Sequence, residues 1–331
     1  MFYCRDSGLT GRKMIRVKDD EMKAAFSAVY GELNKNKALY LFLLPAVVLL
    51  FIFCYIPLFG LLLAFKEFNF DQGIFFSPWA KPFFNNFTFL FGTGYGLRAI
   101  KNTVLLNALF IFAGLIFEVG FALIFNEIGS RFFKKITQTL TFLPYFISWI
   151  VVGVFTYNIL TSDHAAFNNL MASLGLPRVD FLGNPAIWPF ILMLVSRWKN
   201  TGYGSVIYLA MLSGIDSSYY EAADMDGASK WQQIRYISLP LLRPTIMVMT
   251  LLQIGRIFNA DFGMFYSVVG DATTLYATTD VIDTFVYRSL RVSSDIGMAS
   301  AAGFVQSILS FLLVMASNLA ARWIDRDSAL F

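Results

Sequence analysis

Nine polar or charged side chains interrupt stretches that are otherwise apolar, and these are the residues best suited to chemistry. Glu118 stands alone in one stretch; Arg197, Lys199, Asn200 and Tyr203 break a second; Gln253, Arg256, Asn259 and Asp261 break a third. Ionisable groups at such positions are costly, and they persist where they line a polar path or pair with one another. A hydroxyl-rich solute needs hydrogen-bond donors and acceptors together with flat aromatic faces. Trp149, Arg197, Trp198, Asn200, Tyr203, Arg256, Asn259 and Asp261 form the candidate solute-binding set, with Phe258 and Tyr266 as further aromatic faces. Arg197 and Arg256 would suit an anionic solute. Two other readings stand beside this one: Arg256 forms a structural ion pair with Asp261 or Glu118, or Arg197 and Lys199 snorkel to the outer interface.

Bond-making chemistry finds no constellation. His164 is the sole histidine and sits beside Asp163, which reads as a solvated loop. One histidine and two cysteines, Cys4 and Cys54, cannot build a usual zinc site, so no metal is expected. The two cysteines also fall on one flank and mid-stretch, which excludes a disulfide framework. No G-x-x-x-x-G-K-[ST], G-x-S-x-G or H-E-x-x-H occurs. Gly92-Thr-Gly-Tyr-Gly96 follows an aromatic stretch rather than a strand and reads as a loop. The chain is therefore expected to be neither an enzyme nor an ATPase, and to carry no cofactor of its own.

The elements that must position these residues follow from composition. Apolar residues make up 57% of 331 and charged ones 15%, far below the quarter typical of a soluble domain. The expected fold is an all-α polytopic membrane protein with six spans, near residues 39–65, 103–125, 137–160, 186–212, 244–266 and 298–321. Lys and Arg number sixteen on the side holding both termini and seven on the other, which places the N- and C-termini in the cytoplasm. The net charge of +4 reflects this bias, not a nucleic-acid partner. Residues 1–38 read as a cytoplasmic segment, 39–325 as the membrane domain and 326–331 as a tail. The first apolar run begins too late and runs too long for a cleavable signal, and Met14 or Met22 would serve equally well as a start. The loop between the first two spans is rich in aromatics (Phe75, Phe76, Trp79, Phe83, Phe84), suited to an interface with lipid headgroups.

Residues 216–243 are polar and dense in helix signals. Ser218 and Glu221 have the spacing of a capping box, and Ala222 and Ala223 favour helix. Asp226-Gly227 suits a turn with positive φ. A second short helix should follow from Ala228, with Trp231, Ile234 and Ile237 on one face, ending at Leu239-Pro240 before the fifth span begins near Pro244. By physics alone this segment is equally an amphipathic hairpin capping the bundle.

Glu221-Ala222-Ala223, Asp226-Gly227-Ala228, Ile237-x-Leu239-Pro240 and Pro244 resemble the EAA motif of bacterial ATP-binding-cassette importer permeases, in the loop before the last two spans where that family carries it. Ile234 departs from it, standing where an aromatic is common. Pro144-Tyr-Phe-Ile-Ser-Trp149 and Arg197-Trp-Lys-x-x-Gly202 resemble the carbohydrate-uptake branch, chiefly its oligosaccharide permeases. The resemblance covers roughly residues 38–325 and implies a type I importer permease fold in the bacterial plasma membrane, forming half of a sugar pathway. It also implies that Glu221, Ala222, Ala223, Asp226, Gly227, Ala228, Ile237, Leu239 and Pro240 form a coupling loop seated on a cytoplasmic ATPase dimer, with ATP and Mg bound by that partner. Further implied partners are a second permease and an extracellular solute-binding protein. The alternatives are an ion-coupled secondary transporter, against which the lack of visible repeats weighs, and a permease of the same family for a non-sugar solute.

Overall fold

The computed structural model describes residues 31, 35–92, 94–161 and 165–324. His164, Asp163, Cys4, both alternative starts and the tail lie outside the described residues. The chain divides into two compact units, one ending at Gly60 and the other beginning at Leu61. Apart from the isolated bridge between Lys66 and Trp79, the described residues form helices and their connections.

Helix α1 (Lys37–Phe65) opens as an α-helix, passes through a π turn at Phe51–Tyr55 and tightens to 3-10 geometry after Ile56. It is apolar on every side, the composition of a helix whose solvent is hydrocarbon. In the second unit a connection of short turns follows. Asn86 donates to the carbonyls of Leu63, Ala64 and Lys66, satisfying the open end of that helix. Phe83, Phe84 and Phe87 gather around Phe65 and Phe304, while Phe75, Phe76 and Trp79 stay exposed.

Helix α2 (Tyr95–Glu127) packs along α6 (Trp188–Ser213) as the most extensive helix pair of the second unit. Between them in sequence lie α3 (Arg131–Phe142), α4 (Trp149–Thr156) and α5 (Ala166–Ser173). After α6 come α7 (Ser218–Met225), α8 (Lys230–Ile254), α9 (Ile282–Ser293) and α10 (Ile296–Ile324). Leu106, Phe110, Trp188, Leu192, Phe265 and Leu275 anchor one core; Val119, Phe125, Tyr208, Leu212 and Leu242 anchor another.

Helices α1, α2, α8 and α10 are each long and apolar enough to cross a membrane, and the bent pair α3 and α4 would make a fifth span. Helix α6 is also long, but Arg197, Lys199 and Asn200 lie at its centre. The expected third span, 137–160, is not one helix. Leu143–Phe146 tightens to 3-10 geometry and Ile147 is extended, after which Ser148 caps α4 through the Val151 N–H. Pro144 lacks the donor an α-helix needs there. The expected fifth span, 244–266, is displaced: α8 runs from Lys230 to Ile254, the chain turns through residues 255–260, and a short helix restarts at Phe262. Helix α9 was not expected at all.

Leu239-Pro240 therefore ends nothing. Residues Ile234–Ser238 form a π turn in which the Leu239 N–H donates to the Ile234 carbonyl. That wider turn makes room for the Pro240 ring, which would collide with the fourth carbonyl behind it in a regular α-helix. The segment after Gly227 and the next membrane-length helix are one continuous rod.

Candidate functional site

Glu118 on α2 and Arg197 on α6 meet at 3.1 Å (Oε1 to Nη1), both largely buried, and a second guanidinium nitrogen donates to Ser196 Oγ. Two glycines make the approach possible. A Cβ at Gly114 would strike the Arg197 guanidinium, and one at Gly204 would strike the Glu118 carboxylate. Arg197 pairs with Glu118 rather than presenting a free charge, so of the two acids weighed for Arg256 one, Glu118, is taken by Arg197.

Lys199 is buried, with 6% of its surface exposed, and does not snorkel. Its ammonium donates to the carbonyls of Tyr145 (2.6 Å), Ile147 (2.6 Å) and Pro144 (3.3 Å), at the break between α3 and α4. The Pro144 carbonyl also accepts the Ile147 N–H, while the extended Ile147 and the Ser148 cap, whose hydroxyl takes the Val151 N–H, interrupt the α-helical bonding here, and apolar surroundings offer no water to replace it. The same nitrogen lies 5.4 Å from the Tyr145 ring centre and 5.3 Å from that of Trp149. Tyr203, one turn along α6, stacks flat on Tyr145 at 4.2 Å.

Trp149 Nε1 donates to Asp261 Oδ2 at 2.8 Å, and the other oxygen of Asp261 accepts from the Met264 N–H, capping the helix that restarts at Phe262. Asp261 thus joins Trp149 and not Arg256. Arg256 is exposed and makes no ion pair among the described residues. Asn259 accepts from Gln306 Nε2 (2.9 Å), which also donates to the Phe258 carbonyl (2.6 Å). Asn107 Nδ2 donates to the Ile257 carbonyl (2.7 Å), and Asp283 accepts the Ala260 N–H (2.9 Å). Asn107, Gln306 and Asp283, none of them expected from sequence, hold residues 257–260 outside the helix. Asn200 turns back to the Ser196 carbonyl, and Trp198 faces away from this cluster onto an apolar groove of about 330 Å³ with Phe155, Ile159 and Leu194. Tyr266 packs with Phe262 and Tyr287.

The loop of residues 216–243 has its own geometry. Glu221 does not close a capping box with Ser218. Instead Asp216 Oδ1 accepts the Ser218 N–H at 3.0 Å, and that bond holds the Asp216 carboxyl below its ordinary pKa. The capping box falls at Ser229 and Gln232. Gly227 has φ +75°, and the Ala228 N–H reaches the Ala223 carbonyl while the Gly227 N–H reaches Asp224, a Schellman closure. Gln233 is buried, donates to Asp224 Oδ1 (2.5 Å) and accepts from Lys230; Tyr220 and Ser238 share a hydroxyl hydrogen bond (2.9 Å). These bonds tie α7 to α8. Trp231, expected on the packed face with Ile234 and Ile237, is exposed, and so are Glu221, Ala222 and Asp226; Ala223, Ala228, Ile237 and Leu239 are half-buried and Pro240 is exposed.

Residues 110–329 match the family model described as binding-protein-dependent transport system inner membrane component. The chain belongs to that family. Protein LplB of Bacillus subtilis (strain 168) is 31% identical over 300 residues, covering 89% of this chain and 92% of LplB. The polygalacturonan/rhamnogalacturonan transport system permease protein YteP of the same strain is 31% identical over 291 residues, covering 88% and 89%. Among solved structures, a chain of a bacterial alginate ABC transporter, crystallised with an alginate pentasaccharide-bound periplasmic protein, superposes with a TM-score of 0.80 at 32% identity, covering 89% of this chain and 97% of that one. This chain is a multi-pass permease of the ABC importer type, with the type I fold.

Proposed function

We propose that this permease forms one half of the pathway by which a bacterial ATP-driven importer carries an oligosaccharide across the plasma membrane. Residues 216–243 are the cytoplasmic coupling loop, and α7 seats on a separate ATPase subunit that binds ATP and Mg. A second permease completes the pathway and an extracellular solute-binding protein delivers the sugar. The observation that carries the coupling role is the rigid joint between α7 and α8. The Gly227 turn, the Gln233–Asp224 bond and the Tyr220–Ser238 bond fix α7 to a rod of membrane length. A push on α7 is thereby delivered to α8 without being lost in a flexible loop.

Among sugars we favour uronic-acid oligosaccharides. YteP and the alginate transporter are named for polymers of that type, and Arg256 offers an exposed guanidinium beside the non-helical residues 257–260. The test is uptake by the reconstituted complex. Gly227→Pro cannot adopt positive φ and loses the N–H that closes the turn. It and Glu221→Lys should each abolish ATP-dependent uptake while the protein still inserts. Full transport by a stably inserted Gly227→Pro variant would sink the coupling role.

A further inference from the structure

The third span and the chain after the fifth are both non-helical at one place in the fold, and Lys199 with Trp149 connects them. Three carbonyls at the α3–α4 break converge on a single ammonium. Trp149, whose ring flanks that ammonium, carries the connection on to Asp261, the residue that restarts the helix after Ala260. The fit is close: a Cβ at Gly263 would press on the Trp149 ring. Tyr145, held through its own carbonyl and by its ring over the same cation, presents the stacked pair with Tyr203.

We propose that Lys199 is the positioning residue of the translocation path: it fixes the break in the third span and, through Trp149 and Asp261, sets the angle at which the chain resumes helix after α8. It acts through backbone and aromatic neighbours and does not itself touch the solute. The proposal rests on the transport reading above. Its charge explains why lysine stands there. One ammonium has three donors and can serve three carbonyls at once, which no neutral side chain of that length can do. Arginine has more donors in a flat fork, and it would satisfy some of the converging carbonyls but not all three.

The test uses the full chain without Cys4 and Cys54, assembled with its partner subunits in lipid discs. A reporter cysteine stands at Ile147 in one series and at the buried Val119 in another. Lys199→Met should raise the rate of thiol labelling at position 147 at least fivefold, leave position 119 unchanged, and lower the maximal uptake rate at least tenfold with little change in KM. Lys199→Arg should recover part of both. Trp149→Phe keeps the ring but loses the N–H to Asp261; it should lower uptake without raising labelling at 147. Unchanged labelling at 147, or uptake equal to the parent in Lys199→Met, overturns the proposal. If Lys199→Met does not assemble, Lys199→Arg and Trp149→Phe decide it, and parent-level uptake in both overturns it. Labelling is independent of the sugar. If the parent complex transports no oligosaccharide and Lys199→Met still raises labelling at 147, the transport reading fails and the positioning role stands.

Discussion

At the scale of single residues, the Glu118–Arg197 pair decides between two uses of charge in the same place. Breaking a buried pair by removing one partner leaves the other charge stranded, at a cost of roughly 3–5 kcal/mol in folded proteins, whereas replacing both with apolar groups is often neutral. Glu118→Gln and Arg197→Met should therefore each lower the thermal midpoint in detergent, and the double variant should recover most of the loss. Uptake separates the roles. If the pair only joins α2 to α6, the double variant transports; a stable double variant that does not transport would make Arg197 a solute ligand after all. The polar residues themselves were legible in the sequence as residues needing partners. The partners were not, because Glu118 and Arg197 lie 79 residues apart and only the fold brings them together.

At the scale of elements, local signals were reliable where the chain decides its own geometry and misleading where distant residues decide it. Gly227 turns as its type and neighbours dictate, since few other residues hold φ at +75° without strain. Pro144 and Ser148 stand at the break in the third span, a local helix stop and start that the reading of 137–160 as one span passed over. The end of α8 was different. Gln253, Arg256, Asn259 and Asp261 were visible as polar interruptions, but whether they sit in a helix or unwind it depends on Asn107, Asp283 and Gln306, which lie elsewhere in the chain. Pro240 misled for a related reason: a π turn absorbs its ring, and no periodicity announces that turn. The bonds between α7 and α8 supply the next prediction. Gln233→Leu with Tyr220→Phe removes the two side-chain hydrogen bonds between these helices, leaving the exposed Lys230–Asp224 ion pair at 3.8 Å, while keeping volume and helix propensity. In the assembled complex this variant should hydrolyse ATP but lose most of its uptake, measured as the ratio of sugar moved to ATP consumed. An unchanged ratio would mean that the joint does not transmit the push.

For the molecule as a whole, orientation is the property on which the coupling role depends, and charge outside the spans determines it. With the six spans expected from the sequence, sixteen Lys and Arg fall on the side of the 216–243 loop against seven on the other, a strong bias under the positive-inside rule. The chain's two most useful reporters lie on opposite sides of that assignment. Met225, at the end of α7, is 89% exposed, and Val292, near the end of α9, is 82% exposed. In a background lacking Cys4 and Cys54, Met225→Cys should react with an impermeant maleimide only in inside-out vesicles, and Val292→Cys only from the outside of intact cells. Both substitutions fall on side chains largely exposed on this chain, so neither should disturb its folding. Labelling of Met225→Cys from outside would remove α7 from reach of any cytoplasmic ATPase, whatever its resemblance to a coupling motif. Labelling of both cysteines from one side would instead mean that the chain between them, α8 with the turn after it, does not cross the membrane. The expected outcome, each cysteine silent from the other's side, leaves α7 on the ATP-containing side and the connection after α8 on the side from which a sugar arrives.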